Sequence, residues 1–285
     1  MPASAVISLS EARARKAPLA GLQRARGIGR VAFKPAGART VLDRLHEDGA
    51  ARIRLPRNPA AGSCEAVLIN TAGGLTGGDR MSWEVTAGQD CHGIITTQAC
   101  EKVYRSGGGT AEVATRLEVG AGGRLDWLPQ ETILFDGAEL SRTITVDLSP
   151  DARLLVVEAV IFGRHAMGER VNSGVFRDRW RIRRDGKLVH AEDMRIEGAI
   201  SDTLARPAVL AGHRTMASVV YCGEDAGLHL ERARSAIGEA GGASAFAGKL
   251  VARVTAADGM ALRRALIPLI ASLRGGSALP RAWMI

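Results

Sequence analysis

The sequence predicts an all-β body followed by two late helices, and three observations carry that expectation. Glycine makes up 34 of 285 residues, about 12% against an average of ~7% and without a three-residue period, which suits short strands joined by tight turns. Runs that are β-branched or alternate apolar with polar recur at 67–69, 81–86, 93–97, 111–119, 142–148, 154–162, 176–183 and 187–196. Turn residues separate them: Gly73-Gly74, Gly77-Gly78-Asp79, Gly107-Gly108-Gly109, Gly122-Gly123, Asp136-Gly137, Ser149-Pro150-Asp151 and Asp185-Gly186.

Taken in order, the run at 154–162 stands apart because both of its faces are apolar, as in a strand covered on two sides. Asp185-Gly186, set between Arg181-Ile182-Arg183 and Leu188-Val189, is the strongest hairpin signal in the chain. Beyond the strands, 228–240 puts Leu228, Ala233, Ile237 and Ala240 near one helical stripe. The segment 249–255 reads as a further strand. A second helix at 260–273 is richer, with Leu262, Leu266, Leu269, Ile270 and Leu273 in phase, Asp258 as its N-cap and Gly275-Gly276 as its stop. Pro268 should kink it or start its final turns.

Composition sets the class. With 46% hydrophobic and 24% charged residues and a mean hydropathy of +0.02, the chain can bury a core, and disordered and collagen-like classes are excluded. The net charge of +8 is uneven: residues 1–30 hold Arg13, Arg15, Lys16, Arg24, Arg26 and Arg30 against Glu11 alone, leaving only +3 for the remainder. The expected organisation is therefore a basic, flexible N-terminal extension over 1–27 and a single domain over 28–285, since no repeat of fixed period and no Pro-rich or Ser-rich linker divides it. No apolar leader and no run of ~18 apolar residues is present, so a cytoplasmic protein away from membranes is expected. Cys64, Cys91, Cys100 and Cys222 form no CxxC pair, which argues for reduced thiols rather than a disulfide framework or a structural zinc.

Familiar chemistry is missing. Gly73-Gly74-Leu75-Thr76-Gly77-Gly78-Asp79 looks like a phosphate loop, but Asp79-Arg80 follow where Lys and Ser or Thr are needed, and a strand follows in place of a helix. No GxSxG, HExxH or GxGxxG motif occurs, and Cys91-His92, adjacent on a strand, point to opposite faces. Glu158 is more informative: it interrupts an apolar run, so its carboxylate must be paired, protonated or turned to a wet cavity. Glu192 poses the same question among more polar neighbours.

An ordered series carries a resemblance. Gly73-Gly74-Leu75-Thr76-Gly77-Gly78-Asp79 is followed by Thr96-Thr97-Gln98-Ala99 with Lys102-Val103-Tyr104-Arg105-Ser106, then by Trp127-Leu128-Pro129-Gln130-Glu131-Thr132-Ile133. Gly163-Arg164 with Gly168-Glu169 come next, and Leu279-Pro280-Arg281-Ala282-Trp283 closes the series. In order and spacing these pieces resemble the urease accessory protein UreD family, also called UreH, over roughly 28–285. Many members carry His directly after the Cys of the Ala60-Ala61-Gly62-Ser63-Cys64 segment, where this chain has Glu65.

The resemblance implies a fold of stacked sheets turning in a helical manner. It implies a scaffold, not an enzyme: a chaperone that joins a UreF-like protein, a UreG-like GTPase and the urease apoprotein, so that nickel enters urease as GTP is hydrolysed. It further implies that nickel moves along an internal path, that Asp79, Glu158 and Glu192 match the family's acidic positions on it, and that no cofactor is held tightly, GTP being met only through a partner. Carboxylates suit such transit because they hold a divalent cation with its waters, whereas fixed Cys or His ligands would trap it. Gly73, Gly74, Gly77, Gly78 and Asp79 form the family loop. Leu279, Pro280, Arg281 and Trp283 are candidate partner anchors, and homodimerisation within the complex is a further expectation. Two other classes stand against this: a hydrolase using Asp79, Glu158 and Glu192, and a nucleic-acid binder resting on a pI near 9.9.

Overall fold

In the computed structural model, which describes residues 24–56 and 62–284, the strands form two sheets, between which the chain passes back and forth. The first sheet takes Arg26–Ala36, Arg39–Gly49, Arg80–Ala87, Ala111–Val119, Glu139–Leu148, Gly174–Arg184 and Lys187–Gly198. The second takes Ala51–Arg54, Cys64–Asn70, His92–Thr97, Arg124–Leu128, Arg153–Phe162, Thr215–Cys222, Gly241–Phe246 and Lys249–Ala256, with the short strands Glu101–Val103 and Thr132–Leu134 joined at one end. Between residues 64 and 184 the chain winds as a coil, each circuit laying its strands parallel to those of the circuit before. In the first sheet Met81, Val113, Arg142 and Asp178 lie in register, at steps of 32, 29 and 36 residues. In the second, Cys64, Gly93, Leu125 and Leu154 do, at steps of 29, 32 and 29. Antiparallel strands finish both sheets at the two ends of the coil.

Side-chain alternation builds three layers. Val85, Ile144, Val146 and Trp180 of the first sheet meet Ile95, Trp127, Leu154 and Val156 of the second in the central core. The other face of the second sheet carries Leu155, Val157, Ala217 and Val219, which pack under the helices Leu230–Ile237 and Gly259–Leu273. The strand Arg153–Phe162 is thus covered on both faces, which is why its sequence shows no alternation.

The later helix is as expected: Asp258 Oδ1 accepts from Ala261 N at 2.8 Å, the five in-phase apolar residues are buried, and Pro268 lies within it. Gly275 and Gly276, at φ +67° and +80°, end it. The earlier one is shorter than expected, because 226–229 and 238–240 are 3-10 turns, and Leu228 is 81% exposed rather than on the buried stripe. A third helix, Ile200–Ala205, was not anticipated. The hairpin at 185–186 forms with both residues at positive φ, 50° and 71°, and Arg184 paired to Lys187. Of the extension expected over 1–27, residues 1–23 lie outside the described residues, as do Ala60 and Ala61, whereas Arg26 and Gly27 already belong to the first strand.

Candidate functional site

A charged seam crosses the apolar interior between the sheets. Arg142, in phase with Leu140 and Ile144 on Glu139–Leu148, points inward, and so does Glu158 from the facing sheet; both side chains are only 5% exposed. The Arg142 guanidinium donates from Nε to Asp178 Oδ1 at 3.0 Å and from Nη2 to Asp178 Oδ2 at 2.5 Å, and its Nη1 donates to Glu158 Oε2. Indole N–H groups complete both carboxylates, Trp127 Nε1 to Glu158 Oε1 at 2.8 Å and Trp180 Nε1 to Asp178 Oδ1 at 2.9 Å. One cation is therefore shared by two buried anions. Burial pushes the Glu158 carboxyl above its ordinary value, with Arg142 opposing that rise. Burial works against the charge on Arg142, yet Asp178 and Glu158 together hold its guanidinium more firmly protonated than usual.

Beside this group lies an internal cavity of about 60 Å³, bordered by Glu101, Gln130, Arg142 and Glu158, with room for a few waters. Gln130 Nε2 is buried beside it without a hydrogen-bond partner. A second cavity, about 190 Å³, shares Leu68, Trp83, Thr97 and Glu101 with the first and reaches the exposed residues Gly73, Gln98, Ala99 and Lys102. Glu101 thus stands where an outer vestibule meets the inner space. Asn70 Nδ2 donates to both of its oxygens at 3.2 Å, while burial pushes its carboxyl up to about 7.

On the far side the seam continues toward solvent. Ser218 is the cross-strand partner of Glu158, and Arg253 that of Ser218. Ser218 Oγ donates to Glu192 Oε1 at 3.4 Å, Arg253 Nη2 lies 3.0 Å from Glu192 Oε2, and Arg253 itself is 42% exposed. His190 Nε2 is 3.9 Å from Glu192, but burial, then Lys249 and Arg253, lower its pKa to about 4, so the imidazole is neutral at neutral pH and the contact is no ion pair.

Asp79 belongs to neither cavity. Its Oδ1 accepts from Ala25 N and its Oδ2 from Thr76 N, each at 2.8 Å, so the carboxylate clasps the start of the first strand to the glycine-rich loop. The expected trio is therefore divided: Glu158 and Glu192 share the seam, and Asp79 fastens backbone. Two of the loop's glycines serve close packing, while Gly73 and Gly78 adopt positive φ, +75° and +88°. A Cβ on Gly74, at φ +145°, would come within 2.7 Å of Lys102 O, and one on Gly77 within 2.2 Å of Gly109 O.

The C-terminal residues named as anchors are mostly turned inward. Trp283 is 1% exposed, donates from Nε1 to Leu128 O at 2.9 Å and lies under the Arg263 guanidinium. Pro280 is buried and Leu279 packs on the same core, leaving Arg281 alone of the four exposed. The Trp283 ring is thus packed within its own chain, and Arg281 is the one of the four that faces outward. Arg263 also holds Glu131 through Nε at 2.7 Å and Nη2 at 2.8 Å, and Cys100 Sγ donates to that carboxylate at 3.3 Å; burial pushes this thiol to about 11.

The scattered motif pieces meet in space. Tyr104 packs edge-on against Phe135 at 5.0 Å and donates to Gly73 O, Arg164 covers Phe135 at 4.5 Å, and Thr76 Oγ1 donates to Arg105 O. Arg105 pairs with Asp136, which accepts from Asn172 N and Ser173 N. Arg142, Asp178 and Glu101 were missed in the sequence, although Arg142 and Asp178 sit in phase with buried neighbours, Asp178 with Phe176 and Trp180. Among the described residues, no group of three or more His, Cys, Asp or Glu side chains could hold a metal ion, and no helix is long and apolar enough to cross a membrane.

Comparison with known proteins is consistent across the chain. The family model described as UreD urease accessory protein matches residues 25–284. The chain is 54% identical over 262 residues to a urease accessory protein UreD of Rhizobium leguminosarum bv. viciae, covering 92% of this chain and 96% of that one. It is 55% identical, with the same coverage, to one of Rhizobium etli. It is 50% identical over 268 residues, 93% of this chain and 96% of the relative, to one of Brucella suis.

Proposed function

The chain belongs to the UreD urease accessory protein family, and from that premise we propose that it passes nickel toward the urease active site along the seam between its two sheets. Its role lies in urease maturation, as an accessory protein and not an enzyme. The observation that supports the finer reading is the run from Glu101 through Glu158 to Glu192, carboxylates set across an apolar interior, the first two of them bordering a cavity that can hold water. A dry interior would refuse a divalent cation, whereas spaced carboxylates can take it with part of its hydration shell and release it again.

In this reading nickel is cargo. UreF-like and UreG-like partners and the urease apoprotein form the complex in the cytoplasm, and two copies of this chain meet within it. GTP hydrolysis belongs to the UreG-like partner, because the loop at 73–79 carries no Lys with Ser or Thr and opens into a strand.

The test is co-expression of the urease subunits and other accessory proteins with this chain, without it, and with Glu158→Gln. Urease from cells holding Glu158→Gln should carry well under half the normal nickel, while the variant still folds and co-purifies with its partners. Full nickel loading by a stable Glu158→Gln protein, in a background with no other copy, would remove the internal route.

A further inference from the structure

The seam carries its own cations: two of its three carboxylates have a resident guanidinium, Arg142 at Glu158 and Arg253 at Glu192, while Glu101 is held by the Asn70 amide. At Glu158 the attachment is unequal. Arg142 gives Asp178 two bonds, from Nε and Nη2, and gives Glu158 only Nη1. If the Glu158 contact opens, Arg142 keeps a fork-to-fork pair with Asp178, the geometry a guanidinium and a carboxylate favour. Glu158 keeps the Trp127 indole N–H and still borders the inner cavity, which Arg142 and Trp127 also line. Neither group is then left as an isolated buried charge, provided a second cation takes the vacated oxygen.

We propose that Arg142 is the gate of this route: its Nη1 holds the place at Glu158 that a transiting divalent cation must take, and Asp178 tethers the guanidinium while the cation passes. This rests on the passage of nickel between the sheets set out above. Arg142 acts by competition and never needs to touch the metal. Asp178 is a positioning residue, because it decides whether Arg142 can let go.

The tether makes a prediction that an ordinary structural ion pair does not. Asp178→Asn leaves Glu158 as the only carboxylate hydrogen-bonded to Arg142, so the gate should lock shut. Nickel per urease, read in the co-expression system at limiting nickel, should fall roughly threefold to tenfold, a coupling of ~0.6–1.4 kcal/mol between contacting groups. Adding Arg142→Gln to Asp178→Asn removes the locked cation, and loading should recover at least threefold from the Asp178→Asn level. Normal loading by a folded Asp178→Asn protein overturns the gate, and so does a double variant that loads no better than the single one. Should Asp178→Asn alone fail to fold, the double variant must load at least as fast as the unaltered chain; slower loading, or failure of the double variant to fold, makes the pair structural and overturns the proposal. Glu158→Gln, run alongside, separates the two failures, since normal loading there removes the route itself, whereas impaired loading there without rescue by the double variant removes only the gate.

Discussion

Glu101 is the residue at which the vestibule and the inner cavity meet, and its protonation couples the site to stability. Burial raises its carboxyl to about 7, above the ~4.3 of an unfolded chain. The folded protein therefore binds the extra proton, so the stabilisation is complete below about pH 4 and is lost as the pH rises through 7. Glu101→Gln should leave the melting temperature at pH 4 nearly unchanged and raise it at pH 8, by an amount worth of order 1–3 kcal/mol; equal melting of the two proteins at pH 8 would contradict the assignment. Glu101 had no signal in the sequence, because its burial depends on Asn70 and on the wall of the neighbouring circuit. Arg142 and Asp178 did have one: a charge at an inward position of an alternating strand marks a buried partner as clearly as Glu158 does.

Elements whose two faces differ were the most legible. The strand Ala111–Val119 and the hairpin at 185–186 fall where alternation and turn chemistry put them. Thr215–Cys222 is buried at every position, so its pattern cannot be told from other apolar segments, and Arg39–Gly49, exposed over most of its length, has no apolar face to reveal it. The tail shows a different limit. A Trp near a chain end fits an anchor as well as a core residue, and only the Leu128 carbonyl beneath it decides. Trp283→Ala should accordingly cost about 3–5 kcal/mol of stability, as removal of a large buried aromatic does, and deletion of residues 279–285 should lower the melting temperature of the isolated chain. An unchanged melting curve for the deleted protein would mean that the tail is not part of the core.

At the scale of the whole molecule the parallel coil accounts both for what sequence reading recovered and for what it missed. A mostly β protein with helices late in the chain was legible from composition and turns. The winding was not, because circuits of 29, 32 and 36 residues carry no fixed period for a repeat search to find. Lacking a phosphate loop in any circuit, the pure chain should bind no GTP; calorimetry showing micromolar binding would overturn the division of labour with a GTPase partner. The stacked register also sets a rule for insertions. Arg142, Glu158 and Asp178 converge from three strands of successive circuits, and one added residue within any of those strands would turn its remaining side chains to the opposite face. Length change should therefore be tolerated at the circuit corners, such as the exposed glycines at 107–109, and rejected inside the strands, where it would throw the three charged positions out of phase.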